Sequence, residues 1–273
     1  MIKSNCHTHT VFCDGKNTAR EMALQAIEKN FYSLGFSCHS PMNFENDWAI
    51  KKEDISAYIS EIKALKAEFR EEIDILCGIE VDADFCDVDL SDFEYTIGSV
   101  HQFHADGKVY PVDYNADYLK MAADDIFDGD FIKMCCCYFN MLADFICKND
   151  FDVVGHFDLI TKFNEATRQF DENDSDYQTA ALNAVDRIIS AKPDIIFEIN
   201  TGAMFRCDNT RPYPAPFIMK HLSDIGANIT ITSDAHKTEA LDFAFDRAVD
   251  YAKSFGFKAC KIFTSEGIRE IDL

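Results

Sequence analysis

The sequence predicts an α/β protein built as a (β/α) barrel with a metal site where its strands end. Two observations lead there. Short apolar, strand-like runs alternate with longer segments of helical periodicity along the 273 residues, the pattern of parallel strands joined by right-handed crossovers. Ligand-type side chains also recur at or just past the ends of those runs: His7, His9, His39, His101, His156 and His236, with Glu80 and Asp234. A closed parallel barrel gathers its strand ends at one mouth, so residues far apart in sequence would meet there.

The elements are expected in this order. Ile2 to His9 reads as a first strand; Thr18 with Glu21 three residues on forms a capping box that opens a helix whose apolar face is Met22, Ala23, Ala26 and Ile27. Tyr32 to Ser37 is a second strand. From Asp54, helical spacing of Ile55, Tyr58, Ile59, Ile62, Leu65 and Phe69 leads to a third strand, Ile73 to Ile79, ending at Glu80. Tyr95 to Val100 ends at His101. Phe131 to Cys147 is helical, Val153 to Gly155 is a short strand before His156, and a helix over Asn183 to Ser190 leads into Ile195 to Ile199. Ile229 to Thr232 delivers Asp234 and His236; a last helix, Glu239 to Phe255, precedes a strand at Lys261 to Phe263. No linker-like composition interrupts residues 1–273, so one domain is expected.

Composition narrows the function. Hydrophobic residues make up 47% of the chain and 24 are Phe, enough for a large core. The net charge of −22 repels polynucleotide phosphate and favours a small substrate over nucleic acid. Eleven cysteines, without any C-x-x-C spacing and with the run Cys135, Cys136, Cys137, read as reduced thiols acting as small hydrophobes. No signal-peptide pattern precedes the first strand and no apolar stretch approaches the roughly 20 residues a bilayer needs, so a cytoplasmic protein without membrane contact is expected.

Each ligand-type motif has a bland alternative by itself. His7-x-His9 puts two imidazoles on one side of an extended strand, where they could share a cation or simply face solvent. Glu80 could be a helix N-terminal charge, and His39 a histidine near a turn. Asp234-Ala235-His236 repeats the alternating geometry with an acid and an imidazole. Coincidence at every strand end is the harder account, and a metal-dependent hydrolase is the simpler one.

The motifs His7-Thr8-His9-Thr10, Gly98-Ser99-Val100-His101, Gly155-His156-Phe157-Asp158, Glu198-Ile199-Asn200-Thr201 and Ser233-Asp234-Ala235-His236 together resemble the PHP (polymerase and histidinol phosphatase) superfamily, and within it the monofunctional histidinol-phosphate phosphatases. The resemblance implies a distorted seven-stranded (β/α) TIM-like barrel holding three divalent ions, Zn, Mn or Fe, at the carboxyl ends of its strands. By that pattern His7, His9, Glu80 and Asp234 hold one metal, Glu80 bridges to a second on His101 and His156, and the third lies on His39, His236 and Asp14. Cys13 is the alternative to Asp14, and His104 to His101; His221, inside a helical segment, is taken as a surface residue. The catalytic charge falls to Glu80, Asp234 and His236.

The same resemblance implies a phosphomonoesterase acting on L-histidinol phosphate in histidine biosynthesis, by attack of a metal-bridging hydroxide without a covalent phosphoenzyme. Lys162 stands where the resembled phosphatases tend to have an arginine, which keeps the charge and loses bidentate geometry. Arg206 matches a phosphate-gripping arginine, with Arg211 as fallback; Glu165 and Asp158 are candidate carboxylates for a substrate ammonium. Two alternatives stay open: another small phosphoester (nucleotide, sugar phosphate or cyclic diester), and a non-catalytic metal-binding or polymerase-accessory module.

Overall fold

Seven short strands, β1 (Ser4–Asn5), β2 (Ser33–Phe36), β3 (Asp74–Asp82), β4 (Tyr95–Ser99), β7 (Val153–Val154), β8 (Ile196–Asn200) and β9 (Asn228–Thr232), pair in parallel in the order β1-β2-β3-β4-β7-β8-β9. The structure is a computed structural model that describes residues 2–86 and 88–273. Beyond the last strand the sheet nearly closes on itself. Thr8 bridges Ala235 in parallel, with His9 N–H donating to the Ala235 carbonyl (2.9 Å) and Ala235 N–H to the His7 carbonyl (3.1 Å).

Alternation along the strands decides what points inward. On β3, Leu76, Gly78, Glu80 and Asp82 share one face. Leu76 belongs to a small apolar cluster with Cys6, Tyr95, Ile97, Val153, Ile196 and Phe263 that fills the barrel interior; Glu80 and Asp82 therefore project into the barrel above it. Tyr95 is the plug. Its hydroxyl donates to the carbonyls of Cys6 and Phe36, and its ring fits only because β2 and β3 offer glycines: a Cβ on Gly35 or on Gly78 would stand 2.3 Å from a Tyr95 atom.

The outer layer follows the helical spacing. Thr18 and Glu21 form the expected capping box of helix Ala19–Glu28, which buries Ala19, Met22, Ala23 and Ala26, and helix Ile55–Glu68 buries Tyr58, Ile62 and Leu65. Helices Phe131–Lys148 and Ser175–Ala191 pack together against the β4–β8 side. All eleven cysteines are unpaired, and no helix among the described residues is long and apolar enough to cross a membrane.

The structure differs from expectation in five places. Glu80 lies inside β3, which continues two residues past it. The helix expected over residues 239–255 is broken: a 3-10 turn, Thr238–Ala240, is followed by Ala244 at φ 57°, and the α-helix runs only over Phe245–Ser254. The final strand β10 (Ala259–Thr264) is not a barrel strand; it pairs antiparallel with β11 (Gly267–Asp272) and sends Phe263 against Tyr95. The hairpin β5 (Gln102–Ala105) and β6 (Lys108–Pro111) was not anticipated, although Asp106-Gly107, both at positive φ, is a strong hairpin turn signal; nor was helix Ala116–Phe127, whose N-cap is Asn115.

Gly78→Ala should destabilise the fold by about 1–3 kcal/mol through overpacking against Tyr95, with an unchanged denaturant m-value. A midpoint equal to wild type would mean that the Tyr95 ring is free to move.

Candidate metal centre

Every histidine and acid expected at the strand ends is brought to one place. Glu80, 1% exposed, is its centre. Its Oε2 faces His39 Nδ1 at 2.9 Å, His7 Nε2 at 3.3 Å and His9 Nε2 at 3.6 Å, and its Oε1 faces His156 Nε2 at 3.0 Å and His101 Nε2 at 3.5 Å. Asp234 Oδ1 lies 3.2 Å from His9 Nε2, 3.4 Å from His236 Nδ1 and 3.7 Å from His7 Nε2. Asp14, on the loop after β1, reaches His236 Nε2 (3.0 Å), His9 Nδ1 (3.7 Å) and His39 Nε2 (3.8 Å).

Four overlapping groups have ligand atoms mutually within 4.8 Å: His7, His9 and Asp234; His7, Glu80 and His156; His39, Glu80 and His101; and His9, Asp14, His39 and His236. These residues fit metal ions for a physical reason. The buried atoms His7 Nε2, His9 Nε2, His39 Nδ1, Asp14 Oδ1 and Glu80 Oε2 lack a hydrogen bond of proper geometry. Buried polar atoms are costly when unmatched, and these converge on one another as coordinating atoms do around a cation. His39 turns one ring nitrogen to Glu80 and the other to Asp14, so it links the two groups to which it belongs.

Buried carboxylates fix the outer nitrogens. Glu198 on β8 takes His7 Nδ1 at 2.8 Å, and also binds Thr232 Oγ1 (2.8 Å), the Asn200 amide (2.8 Å) and the His156 N–H. Asp82 does the same for His101 Nδ1 (2.8 Å) while accepting from the His101 N–H and the Gln102 amide. Such partners set the tautomer and ring angle of a metal-binding histidine. Neither acid has a role in the motif pattern; in the sequence only Glu80-x-Asp82, two acids on one face of a strand, points to Asp82.

The charges are interlocked. Burial alone would raise the Glu80 carboxyl, but the imidazoles of His39, His7 and His101 hold it well below the usual carboxylate range. Burial opposes the His39 imidazolium, but the neighbouring Glu80 prevails and pushes its pKa up to about 10. Asp234 is likewise held low against burial, chiefly by the guanidinium of Arg206.

A cleft of about 710 Å³ opens over the cluster, and Lys162 and Arg206 line it. Arg206, on the helical turn Gly202–Arg206 after β8, donates through Nη2 to Asp234 Oδ2 and through Nη1 to the Asp234 carbonyl, both at 2.7 Å. It therefore positions a candidate ligand as well as facing the cleft. Lys162 is held by the carbonyl (2.8 Å) and carboxylate (3.1 Å) of Asp113. Arg211 is not brought to the cleft: it is spent on Glu172 (2.6 Å) and lies 3.8 Å from Asp158. Asp158, fully buried, accepts from the Ala215 N–H, and Glu165 accepts from the Thr210 N–H, so neither expected ammonium partner lines the cleft.

The remaining alternatives separate as well. Cys13 Sγ lies 3.5 Å from His9 Nδ1 but belongs to none of the four groups, and burial raises its thiol well above the ordinary value. His104 sits on the hairpin with Asp84 (2.7 Å), and His221 lies on helix Pro216–Asp224 with Asp186 (2.6 Å).

Glu198→Gln should weaken divalent-cation affinity by roughly 10–100-fold, measured by competition with a chromophoric chelator. Below a pH of about 10 the metal-free His39 keeps its proton, which an incoming cation must displace. Affinity should therefore fall as pH falls, with protons released on binding; pH-independent affinity would contradict the cluster.

The sequence matches the profile of the PHP domain over residues 5–202. A relative from Deinococcus radiodurans, named "Probable histidinol-phosphatase", is 29% identical over 92% of this chain and 92% of its own length. The histidinol-phosphatase of Bacillus subtilis is 25% identical over 90% of this chain and 98% of its own. The solved structure of histidinol phosphate phosphatase from Lactococcus lactis, complexed with zinc, L-histidinol and phosphate, shares the fold, with a TM-score of 0.70 at 20% identity over 98% of this chain and 100% of that one. With a family match across well over half its length, joined to a barrel that gathers histidines and acids at its mouth, the chain belongs to the PHP domain family.

Proposed function

We propose that the protein is a metal-dependent phosphomonoesterase that hydrolyses L-histidinol phosphate to L-histidinol and phosphate, a cytoplasmic step of histidine biosynthesis carried out by residues 1–273 as one catalytic unit. The observation that bears most weight is a single cleft in which the Glu80-centred cluster meets Arg206 and Lys162, with Lys16 and Lys237 also on its lining. Relatives matched over most of their length carry the histidinol-phosphatase name, which supports the substrate. We assign three ions, zinc, manganese or iron, to nine side chains: His7, His9, Glu80 and Asp234; Glu80, His101 and His156; and Asp14, His39 and His236.

When bound, such cations lower the pKa of water and neutralise phosphoryl oxygens. The chain's own residues do the rest. Glu80 supplies the buried charge shared by two of these groups, and Asp234 and His236 shape the third side of the cage. Arg206 holds Asp234 with two donors and presents the guanidinium's remaining edge to the phosphate, while Lys162 adds a point charge steadied by Asp113. No side chain acts as nucleophile in this reading; the phosphoryl group passes directly to water, and catalysis is positional and electrostatic.

Phosphate release from L-histidinol phosphate should vanish on exhaustive chelation and return with zinc or manganese. Glu80→Gln should lower kcat by about 10²–10³-fold or more with the fold intact by circular dichroism. Arg206→Ala should raise KM, weaken inhibition by free phosphate and also lower kcat, because Asp234 loses its anchor. Turnover that survives chelation would refute the metal reading; wild-type kinetics in the arginine variant would refute the phosphate grip.

A further inference from the structure

The phosphate end of the cleft has its cations, but the carboxylates expected for the alcohol end turn out to be occupied elsewhere. The loop after β2, residues 41–50, supplies what is missing. It has almost no regular structure, yet it is pinned. The Asn43 N–H donates to the Asp84 carbonyl (3.0 Å) and its side-chain amide to the Phe85 carbonyl; the Asn46 side-chain oxygen accepts from the N–H groups of Trp48 (3.3 Å) and Ala49 (2.8 Å); buried Ile50 donates to the His39 carbonyl (3.1 Å).

This frame turns Phe44, Asp47 and Trp48 to the cleft. Trp48, the only tryptophan of the chain, stands edge-on 5.0 Å from the ring of His39 and 6.4 Å from Phe44, and Phe44 in turn stands 5.6 Å from His104 on the β5–β6 hairpin. Asp47 is exposed and has no charged partner among the described residues, unlike Asp113, which Lys162 occupies. The barrel order also sets this wall apart from the arginine: β2 and β8 are separated by three steps around the ring one way and four the other, so Trp48 and Arg206 rise from opposite sides of the mouth.

We infer that Trp48 and Phe44 with Asp47 form the subsite for the alcohol half of the substrate, selecting phosphate esters whose alcohol carries a flat ring and a positive charge. Aromatic faces and edges hold flat rings and organic cations, and a free carboxylate beside them adds a charged hydrogen-bond acceptor. An anionic alcohol would be repelled there, and a small neutral one would leave both features unused. L-histidinol, with an imidazole and an ammonium group, has the required chemistry; the inference rests on the function proposed above.

Because Trp48 is the sole tryptophan, its emission reports on this subsite without labelling. Titrating the zinc-loaded protein with L-histidinol alone should give a saturable change that glycerol does not, and Asp47→Asn should weaken that binding by roughly tenfold, the loss expected for one charged contact. The ratio of kcat/KM for L-histidinol phosphate to that for phenyl phosphate, which has the flat ring without the charge, should fall by a similar factor in Asp47→Asn; the ratio to that for glycerol phosphate, which has no ring, should fall in Trp48→Ala, with much of it restored in Trp48→Phe. Turnover of L-histidinol phosphate with silent Trp48 emission, or an unchanged ratio in Asp47→Asn, overturns the subsite and leaves the function standing. Absence of phosphate release from L-histidinol phosphate by the metal-loaded wild type overturns both.

Discussion

A carboxylate buried at the top of a barrel and faced by five imidazoles is the constraint around which this protein is organised. An isolated anion at the position of Glu80 would be expensive to bury. It is held there by a ring of nitrogens drawn from β1, β2, β4 and β7, each within 3.6 Å. The arrangement is balanced only when positive charge fills it, as protons on the histidines or as metal ions. Balance by protons leaves several buried atoms without a proper hydrogen bond; balance by cations gives each of them a partner. The cluster is thus poorly suited to being a structural ion-pair network and well suited to being a coordination cage.

Around the cage, the chain spends its polar residues on orientation. Glu198 and Asp82 lock His7 and His101 from behind, and Arg206 locks Asp234 with two donors. Below it, the interior is sealed by Tyr95, which depends on two glycines and on Phe263 from a strand outside the barrel. The site thus stands on an apolar floor, and the cleft above it carries Arg206 on the β8 side and Phe44, Trp48 and Asp47 on the β2 side. A phosphate ester of a cationic alcohol matches that division of charge.

Much of this was legible before any coordinates. His7-x-His9 and Asp234-Ala235-His236 announce themselves because alternation on an extended chain is a local property, and the strand-helix rhythm predicts convergence. Asp14 also met His39 and His236 as expected, while Cys13 one residue away did not, since its sulfur is turned toward Thr10 and His9. The β5–β6 hairpin is hidden from the strand-helix rhythm because a two-strand excursion interrupts it. Glu198 lies within a motif, yet its role is not legible there, because an acid that binds a ligand's far nitrogen leaves no spacing signature of its own.

The sequence by itself determined the kind of chemistry: which side chains have cation-binding groups, and that they stand at strand ends. Only the tertiary structure decided how the charges are partnered. Arg206 proved to grip Asp234, Arg211 to be tied to Glu172, and Asp158 to be buried, while Asp47 and Trp48 came to face the cleft. The physical reason is that periodicity fixes the direction of a side chain relative to its own strand or helix, whereas the competition among several acids for a few bases is settled by distances between loops, and those exist only once the barrel has closed.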